Sequence, residues 1–368
     1  MTATPVCAVS EGVRKHGPSA AFFSDLENRC QNLRRLHLSN TDINSPLPAS
    51  VEVLTLSDCS LSPLGFPPSR FDAATQTVTS PRLRELELLS VELQRGALAA
   101  VPASVEKLRI RGTRLPRESF ERLAQSDEGR AVDSPISVID LSDSMQLTDV
   151  ELHNITAAFP NISMLILNGC LNTRLEDFFV SLDIFENIAG RLEVLEADGV
   201  PFTPGNLFFL CPLIGDSLRR LSVAGCQLNG GLDIASELRN LRSLDVSRCG
   251  AYFCFGHLSQ ALEELEANGV PLSDGDVGDI CRNVGGTVRR LGIAGCRLTD
   301  LGAAWIAADL KKLQSLDVSG DQRMTDTSFI VFASLRRSLR YLNVSWTNVD
   351  DDTVDLLRVC MPDCKVVH

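Results

Sequence analysis

The chain has 368 residues, of which 44% are hydrophobic and 22% are charged, and its formal net charge is −12. This balance excludes a disordered chain, because enough apolar side chains are present for a large core. The negative charge argues against direct binding of nucleic acid or of an anionic membrane, and no apolar run approaches the roughly 20 residues of a membrane-spanning helix.

The N-terminal sequence MTATPVCAVSEGVRKHGPS lacks the hydrophobic block and small-residue cleavage site of a secretory signal. We therefore expect residues 1–19 to form a flexible tail. We also expect a cytoplasmic protein, in which cysteines stay reduced. The alternatives are a nuclear location and association with the cytoskeleton of a cilium or flagellum.

The pattern apolar-x-x-Leu-x-Leu begins thirteen times, on average about 25 residues apart, which is a spacing typical of repeat solenoids. The thirteen copies begin at Leu33, Val51, Leu83, Val105, Ile136, Ile162, Leu192, Leu218, Leu241, Leu262, Val288, Leu313 and Leu339. We number the positions of each copy from this first residue. Positions 4 and 6 are apolar, as in a strand with one buried side, and stacking the copies buries these side chains in a continuous core.

The pattern predicts an α/β fold in which thirteen repeats form one solenoid domain over residues 20–368. A parallel sheet would line its concave face, and residues 350–368 would form a C-terminal cap. Ser-Asp or Thr-Asp follows several late repeats and favours a helix start there. Proline precedes two early strands, so we expect irregular turns on the early convex side and helices later. Segments 62–82 and 125–135 are predicted loops.

Two stretches of the chain are nearly identical. Residues 218–228 read LRRLSVAGCQL, and residues 288–298 read VRRLGIAGCRL. The repeats that flank them match with the same offset, which indicates duplication of a block of three repeats. The duplication describes the architecture and assigns no chemistry.

Five of the twelve cysteines share position 9, where other copies have threonine or valine. A position that accepts these three residues favours a small buried side chain. Four more cysteines lie near predicted helix ends. The spacing lacks the paired ligands of a zinc site, so we expect no metal, no disulfide framework and no cofactor.

The run LxxLxLxxCxxLTD, seen in residues 136–149 and 288–300, resembles the cysteine-containing subclass of leucine-rich-repeat proteins. That subclass includes the repeat halves of F-box substrate receptors. The resemblance implies a curved horseshoe fold and protein partners. No F-box-like helical module fits into residues 1–32, which places the ubiquitin-ligase role in doubt.

None of the five histidines lies near a cysteine or serine in a nucleophile arrangement, and no phosphate-binding loop or metalloprotease motif occurs. A core filled with leucine also leaves no interior pocket. We therefore expect a protein that is not an enzyme and has no small-molecule substrate.

Position 5 would point outward from the sheet, and it is acidic in six copies, beside arginines at positions 2 and 3. Either these charges pair across strands on a solvated surface, or they select a partner with complementary charge. Trp346 either adds to a binding hot spot or covers the end of the solenoid. The candidate partner-binding residues are Glu87, Arg109, Asp140, Glu196, Arg220, Asp245, Glu266, Arg290, Asp317, Tyr341, Asn343 and Trp346.

These features predict a non-enzymatic scaffold that binds proteins within a larger assembly. A substrate receptor of a ubiquitin ligase is one alternative. A structural subunit of a ciliary, cytoskeletal or organellar complex is another, and in that case the loops 62–82 and 125–135 would make the contacts.

Overall fold

The structure is a computed structural model that describes residues 6–9, 20–30, 32–66, 70–72, 77–79, 82–115, 134–170, 183–228, 237–250 and 255–368. It divides into two compact units, residues 1–192 and residues 193–368. The prediction of a single domain over residues 20–368 stays a prediction. Each unit is built from stacked strand-and-turn repeats.

Unit 1 contains twelve described strands and three described helices. Its strands are β1 (Val6–Val9), β2 (Arg35–Ser39), β3 (Asp42–Ile43), β4 (Val53–Ser57), β5 (Ser60–Leu61), β6 (Arg70–Asp72), β7 (Thr77–Thr79), β8 (Glu85–Leu89), β9 (Glu92–Leu93), β10 (Lys107–Arg111), β11 (Val138–Asp140) and β12 (Met164–Ile166). Its helices are α1 (Ala20–Arg29), α2 (Asp149–Ala158) and α3 (Asp183–Glu186). Strands β1, β2, β4, β8, β10, β11 and β12 form one parallel sheet in that order.

Unit 2 contains eight described strands and five described helices. Its strands are β13 (Val194–Glu196), β14 (Arg220–Ser222), β15 (Ser243–Asp245), β16 (Glu264–Glu266), β17 (Arg290–Gly292), β18 (Ser315–Asp317), β19 (Tyr341–Asn343) and β20 (Lys365–Val367). Its helices are α4 (Pro204–Ile214), α5 (Asp274–Val284), α6 (Asp300–Asp309), α7 (Asp326–Phe332) and α8 (Asp351–Cys360). The eight strands are all parallel and pair in chain order.

The repeat pattern places all thirteen predicted strands correctly. In every copy the strand of the parallel sheet begins two residues after position 1. Leucines at position 4 lie in register with one another, as Leu36 does with Leu54 and Leu291 with Leu316, and they are almost fully buried. The parallel sheet and its buried apolar ladder are therefore confirmed.

Three elements lie outside the repeat pattern. Strand β1 belongs to the segment predicted as a tail, and it pairs with β2. Strand β20 belongs to the predicted cap and continues the sheet beyond β19. The predicted loop 62–82 contains the antiparallel pair β6 and β7, and most of the predicted loop 125–135 lies outside the described residues.

The turn after each strand has the same backbone conformation in every repeat. Position 8 has a positive φ in all thirteen copies, whether or not it is glycine. These residues are Asn40, Asp58, Ser90, Gly112, Asp143, Gly169, Gly199, Gly225, Arg248, Gly269, Gly295, Gly320 and Trp346. The stack fixes this left-handed turn, and glycine adopts it without steric cost, so the other side chains are held there under strain.

The cysteines at position 9 join neighbouring repeats. Each buried thiol donates to the carbonyl oxygen at position 6 of the preceding repeat, at Sγ–O distances of 3.1–3.5 Å. The pairs are Cys59 with Leu38, Cys170 with Leu141, Cys226 with Ala197, Cys249 with Val223 and Cys296 with Ala267. The small buried side chain expected here is thus also a weak hydrogen-bond donor.

Helices α5, α6, α7 and α8 start at a common level because their caps are linked. Asp274, the first residue of α5, accepts from the backbone N–H and hydroxyl of Thr299, which caps α6. Asp300 accepts in the same way from Thr325, and Asp326 accepts from the backbone N–H of Asp350, the cap of α8. These aspartates therefore bind the next repeat. Each of them also interacts favourably with the positive end of its own helix.

Candidate protein-interaction face

The open face of each unit is the sheet surface that carries positions 3, 5 and 7 of the repeats. Most of these side chains are half-buried or exposed, whereas positions 4 and 6 are buried, since successive side chains of a strand point to opposite sides. Three candidate residues lie in unit 1, namely Glu87, Arg109 and Asp140. Nine lie in unit 2, namely Glu196, Arg220, Asp245, Glu266, Arg290, Asp317, Tyr341, Asn343 and Trp346.

In unit 1 the candidate charges neutralise one another. Arg111 donates from Nε to Oδ2 of Asp140 at 2.6 Å, and its Nη1 lies 3.7 Å from Oε1 of Glu87. Arg109 lies 3.9 Å from a carboxylate oxygen of Glu85. Asp140 is fully buried, so its carboxylate cannot reach a partner, and we leave it out of the candidate site.

The arginines on the open face of unit 2 also have acidic partners on the neighbouring strand. Arg220 lies 3.3 Å from Glu196, Arg242 lies 3.1 Å from Glu263, and Arg290 pairs with Glu264. All three arginines are about half exposed, so these ion pairs contribute little to stability. This part of the face, including Glu196, is therefore a solvated surface on which the charges are paired across strands.

Three carboxylates of unit 2 form an acidic column (Asp245, Glu266 and Asp317) that has no cationic partner within the described residues. They bond only to neutral groups. Asp245 and Asp317 accept from backbone N–H groups two residues ahead, at 2.8 Å and 2.9 Å, and Asp317 also accepts from Nδ2 of Asn343 at 3.0 Å. Glu266 accepts from Nδ2 of Asn268 at 2.9 Å. The column is thus the uncompensated negative part of the face.

Glu266 is the central member of the column, and its surroundings disfavour the ionised form of its carboxyl group the most. Burial raises the pKa of its carboxyl group, and the charges of Asp245 and Asp317 raise it further. The next strand has Gly292 in register with Glu266, and a Cβ atom at that glycine would collide with the Glu266 carboxylate. The missing side chain lets the Glu266 carboxylate lie over Gly292, and Asp317 is in register with this glycine on the following strand. A positive charge placed beside the carboxylates of Glu266 and Asp317 would be attracted by both.

The last repeat places Tyr341, Asn343 and Trp346 beside the acidic column. Tyr341 and Asn343 lie on β19, next to Asp317, and Trp346 follows in the turn. The indole of Trp346 is 84% exposed, so it does not cover the end of the solenoid, where β20 extends the sheet instead. A bulky side chain with a φ of 60° is unusual, and backbone strain of this kind concentrates at functional sites.

Replacing Trp346 with glycine should separate stability from binding. We expect the free energy of unfolding to rise by about 1 kcal/mol, because glycine relieves the strain of the positive φ and little buried surface is lost. Partner binding should weaken, since exposed tryptophans are frequent hot spots. Urea unfolding and partner co-purification measure the two effects. The control is Ser90→Gly, at the equivalent turn of unit 1, which should stabilise the protein without changing binding.

Sequence reasoning identified the outward residues but missed Gly292 as part of the site. The available signal was that Gly292 is the only glycine at position 5 of any repeat. Within the described ranges, no three His, Cys, Asp or Glu side chains are grouped to hold a metal ion. No helix in the same ranges is long and apolar enough to cross a membrane.

The comparisons with known proteins find similarity in structure and not in sequence. No protein-family model matches the chain, and no curated protein matches it either. The crystal structure of an internalin from Listeria monocytogenes is similar over 89% of this chain and 85% of its own, with a TM-score of 0.56 and 14% identity. The structure of the yeast Rad7 and Elc1 complex covers 72% of this chain and 75% of the matched chain, with a TM-score of 0.44 and 17% identity.

The internalin match, at 14% identity, concerns the fold alone. It agrees with the thirteen strands that the repeat pattern predicts and with the parallel sheet in each unit. The chain therefore has the leucine-rich-repeat fold.

Proposed function

We propose that the protein is a non-enzymatic scaffold that binds another protein through the open face of unit 2, within a larger assembly. The observation that carries this proposal is the acidic column, whose three carboxylates have no cation beside them in the part of the chain that the structure describes. The Glu266 carboxylate lies over Gly292, so a lysine or arginine side chain that reaches it also comes close to Asp317 on the following strand. The partner is thus a protein that presents a basic side chain from an extended segment or a loop.

Electrostatics and shape both favour such a partner. A cation between Glu266 and Asp317 would relieve the repulsion that raises the Glu266 pKa. The exposed indole of Trp346 offers a surface on which a second side chain of the partner can stack. Complementary charge of this kind contributes mainly to the choice of partner and to the rate of association.

A cytoplasmic location fits the proposal. The ten cysteines within the described residues are free thiols, and five of them, at position 9, lie within hydrogen-bond distance of carbonyl oxygens. Reduced cysteines in such number are typical of proteins inside the cell.

The test neutralises the column without changing its shape. The triple variant Asp245→Asn, Glu266→Gln and Asp317→Asn keeps the size of each side chain and one acceptor oxygen on each, which preserves the bonds from the backbone N–H groups to positions 245 and 317. Its melting temperature should therefore stay close to that of the unaltered protein. We expect affinity for the partner to fall about thirtyfold, or about 2 kcal/mol, because three attractive charges are lost. Affinity purification from native cells with quantitative mass spectrometry identifies the proteins lost by the variant, and calorimetry then measures their affinity.

The matched control is the double variant Glu263→Gln and Glu264→Gln, which removes two ion-paired carboxylates from the same sheet. It should retain the partner, since its charges are already neutralised by arginines. An identical set of bound proteins for the triple variant and the unaltered chain would contradict the proposal. Loss of the partner in both variants would assign binding to the overall charge and not to the column.

A further inference from the structure

One edge of unit 2 collects six basic side chains. The strands β18, β19 and β20 begin in register there, at Ser315, Tyr341 and Lys365, and the segments that lead into them follow α6, α7 and α8. These segments and strand starts carry cations that are all exposed to solvent. We call this set the basic edge, and its members are Lys311, Lys312, Arg336, Arg337, Arg340 and Lys365.

The members of the basic edge lie close together, because neighbouring strands are only about 4.8 Å apart. The backbone N–H of Lys365 donates to the carbonyl oxygen of Arg340 at 2.8 Å, and the N–H of Arg340 donates to that of Gln314, also at 2.8 Å. Lys311 and Arg337 each lie two residues before position 1 of their own repeats. Across the three strands, the basic edge is therefore only about 10 Å wide.

The cations of the basic edge are not neutralised by the chain itself. Among the described residues, none of the six has a carboxylate at ion-pair distance. The same segments contain two acidic residues, Asp309 and Asp363, and neither of these makes an ion pair with a described residue. The basic edge is thus an uncompensated positive surface.

Earlier repeats of unit 2 treat the same edge of the sheet differently. Arg242 and Arg289 both lie beside Glu263, at 3.1 Å and 3.7 Å, and Arg290 pairs with Glu264. These arginines occupy positions 2 and 3 of their repeats, as Arg340 and Lys365 do at the starts of the last strands. Acidic partners on the neighbouring strand therefore accompany the cations up to β17 and are missing after it, within the described residues.

The fold itself uses only part of this positive charge. Lys311 donates from Nζ to the carbonyl oxygen of Ala307 at 2.6 Å. The guanidinium of Arg340 donates to the carbonyl oxygens of Leu339 and Arg337, at 3.0 Å and 3.2 Å. Three helices also end at this edge, and each end carries only about half a negative charge. Six cations exceed that charge about fourfold, and the excess is available to an anion from outside.

We propose that the basic edge binds an acidic segment of a partner protein. Arginine guanidinium groups hold carboxylates with paired, charge-assisted hydrogen bonds. Arg336 and Arg337 are exposed, and within the described residues neither side chain donates to another group. An extended chain rises about 3.3 Å per residue, so three to four residues span the basic edge. The segment therefore presents three or more carboxylates within about six residues.

A short acidic segment fits the basic edge better than a nucleic acid or an anionic membrane does. Duplex DNA is a stiff polyanion with a charge about every 1.7 Å along its axis, so it would extend well beyond a patch about 10 Å wide. The net charge of −12 on the whole chain repels such a polyanion and an anionic membrane. Screening limits the attraction of the basic edge to about 8 Å, a range that suits a flexible segment of a few residues.

The basic edge and the acidic column are separate sites. The column occupies position 5 of its strands, whereas the basic edge precedes its strands or forms their first residue. Their charges have opposite sign, so they take different segments. The proposal does not depend on the acidic column. The triple variant that neutralises the column should bind an acidic peptide at least as tightly as the unaltered chain, so each site is tested without the other.

Fluorescence anisotropy of a labelled peptide of six glutamates, titrated with the full chain at about 50 mM salt, tests the proposal. We expect saturable binding that weakens as the salt is raised to about 500 mM. The variant Arg336→Gln/Arg337→Gln/Lys365→Gln should bind the peptide at least about tenfold more weakly. Its melting temperature should not change, because these three exposed side chains have no hydrogen-bond partner among the described residues.

The matched control is Arg242→Gln/Arg289→Gln/Arg290→Gln. It changes the net charge by the same amount and at the same edge of the sheet, but it removes cations that are already paired with glutamates. We expect its affinity for the peptide to stay within about threefold of the unaltered chain. An equal loss in the control and in the basic-edge variant would assign binding to net charge and overturn the proposal.

Two further results would also overturn it. The first is the absence of saturable peptide binding at about 50 mM salt. The second is tighter binding of a short DNA duplex or of phosphatidylserine vesicles than of the glutamate peptide, with that binding lost in the basic-edge variant. This second result would make the basic edge a site for nucleic acid or for a membrane.

Discussion

Gly215→Ala is expected to lower the free energy of unfolding by about 3 kcal/mol, at the upper end of the usual cost of overpacking. Gly215 directly follows α4. A Cβ atom there would lie less than 3.0 Å from the carbonyl oxygens of Cys211 and Glu237. Both neighbours are backbone atoms held by the stacked repeats, so neither can move aside as a flexible side chain would.

The duplicated block supplies an internal comparison for this prediction. Gly285 is the counterpart of Gly215, seventy residues later, and a Cβ atom there would lie 2.5 Å from the carbonyl oxygen of Cys281 and 3.1 Å from that of Asp309. The second contact is looser, so Gly285→Ala should cost less than Gly215→Ala. Gly286, with nothing within 4 Å of the added atom, provides the control, and Gly286→Ala should be neutral or slightly stabilising. Urea unfolding of the three variants decides the matter, and equal midpoints would refute the steric argument.

The second large effect concerns pH and the buried carboxyl group of Asp321. This residue occupies position 9, where other repeats have cysteine, threonine, valine or serine, and it is fully buried. Its Oδ1 accepts from the backbone N–H groups of Arg297 at 2.5 Å and Leu298 at 3.3 Å, whereas its Oδ2 has no partner. Burial is the main reason that the pKa of Asp321 rises from 3.8 to about 6, and the charge of Asp274 adds to it.

A carboxyl group whose pKa is raised in the folded state stabilises the fold most when it is protonated. Its contribution is fully present below the unfolded pKa and is lost as the pH rises through about 6. The shift corresponds to about 3 kcal/mol. The difference in free energy of unfolding between the unaltered protein and Asp321→Asn should therefore fall by about 3 kcal/mol between about pH 3 and pH 8. Urea unfolding at several pH values measures it.

A control for net charge is Asp352→Asn, which removes an exposed carboxylate from α8. A difference between the unaltered protein and Asp321→Asn that stays constant over this pH range would show that Asp321 ionises normally. The prediction applies to that difference alone, because the remaining carboxylates are the same in both proteins and their titration cancels.

The sequence predicts the strands of this fold well because the apolar period repeats thirteen times. A residue such as Leu265 is placed by its spacing alone, and the register of β16 with β17 then follows. Strand β1 has no such signal, since Val6–Val9 pairs with β2 only because the edge of that strand is free to accept it. The hairpin of β6 and β7 lies between two repeats, so the apolar period gives no signal for it either.

The sequence predicts where the candidate-site residues lie, but it does not predict which of their charges are neutralised by a neighbour. Spacing places Glu196 and Glu266 on the same face. It cannot say that Arg220 neutralises the first, or that no cation among the described residues reaches the second. Cross-strand geometry decides that difference, as it decides that Asp140 is buried beneath Arg111. The exposure of Trp346 likewise depends on β20, which takes the place that a capping aromatic would otherwise fill.

The buried cysteine thiols are unreactive while the solenoid is folded. Burial is the main cause that raises the pKa of Cys249 to about 11, and it raises that of Cys170, Cys211, Cys226, Cys281 and Cys296 to about 12. Because the thiolate is the nucleophile, an alkylating reagent labels each of these cysteines only after its own repeat has opened. Exposed Cys360 reports the rate for an accessible thiol. The order in which the buried cysteines are labelled therefore shows the order in which the repeats unfold.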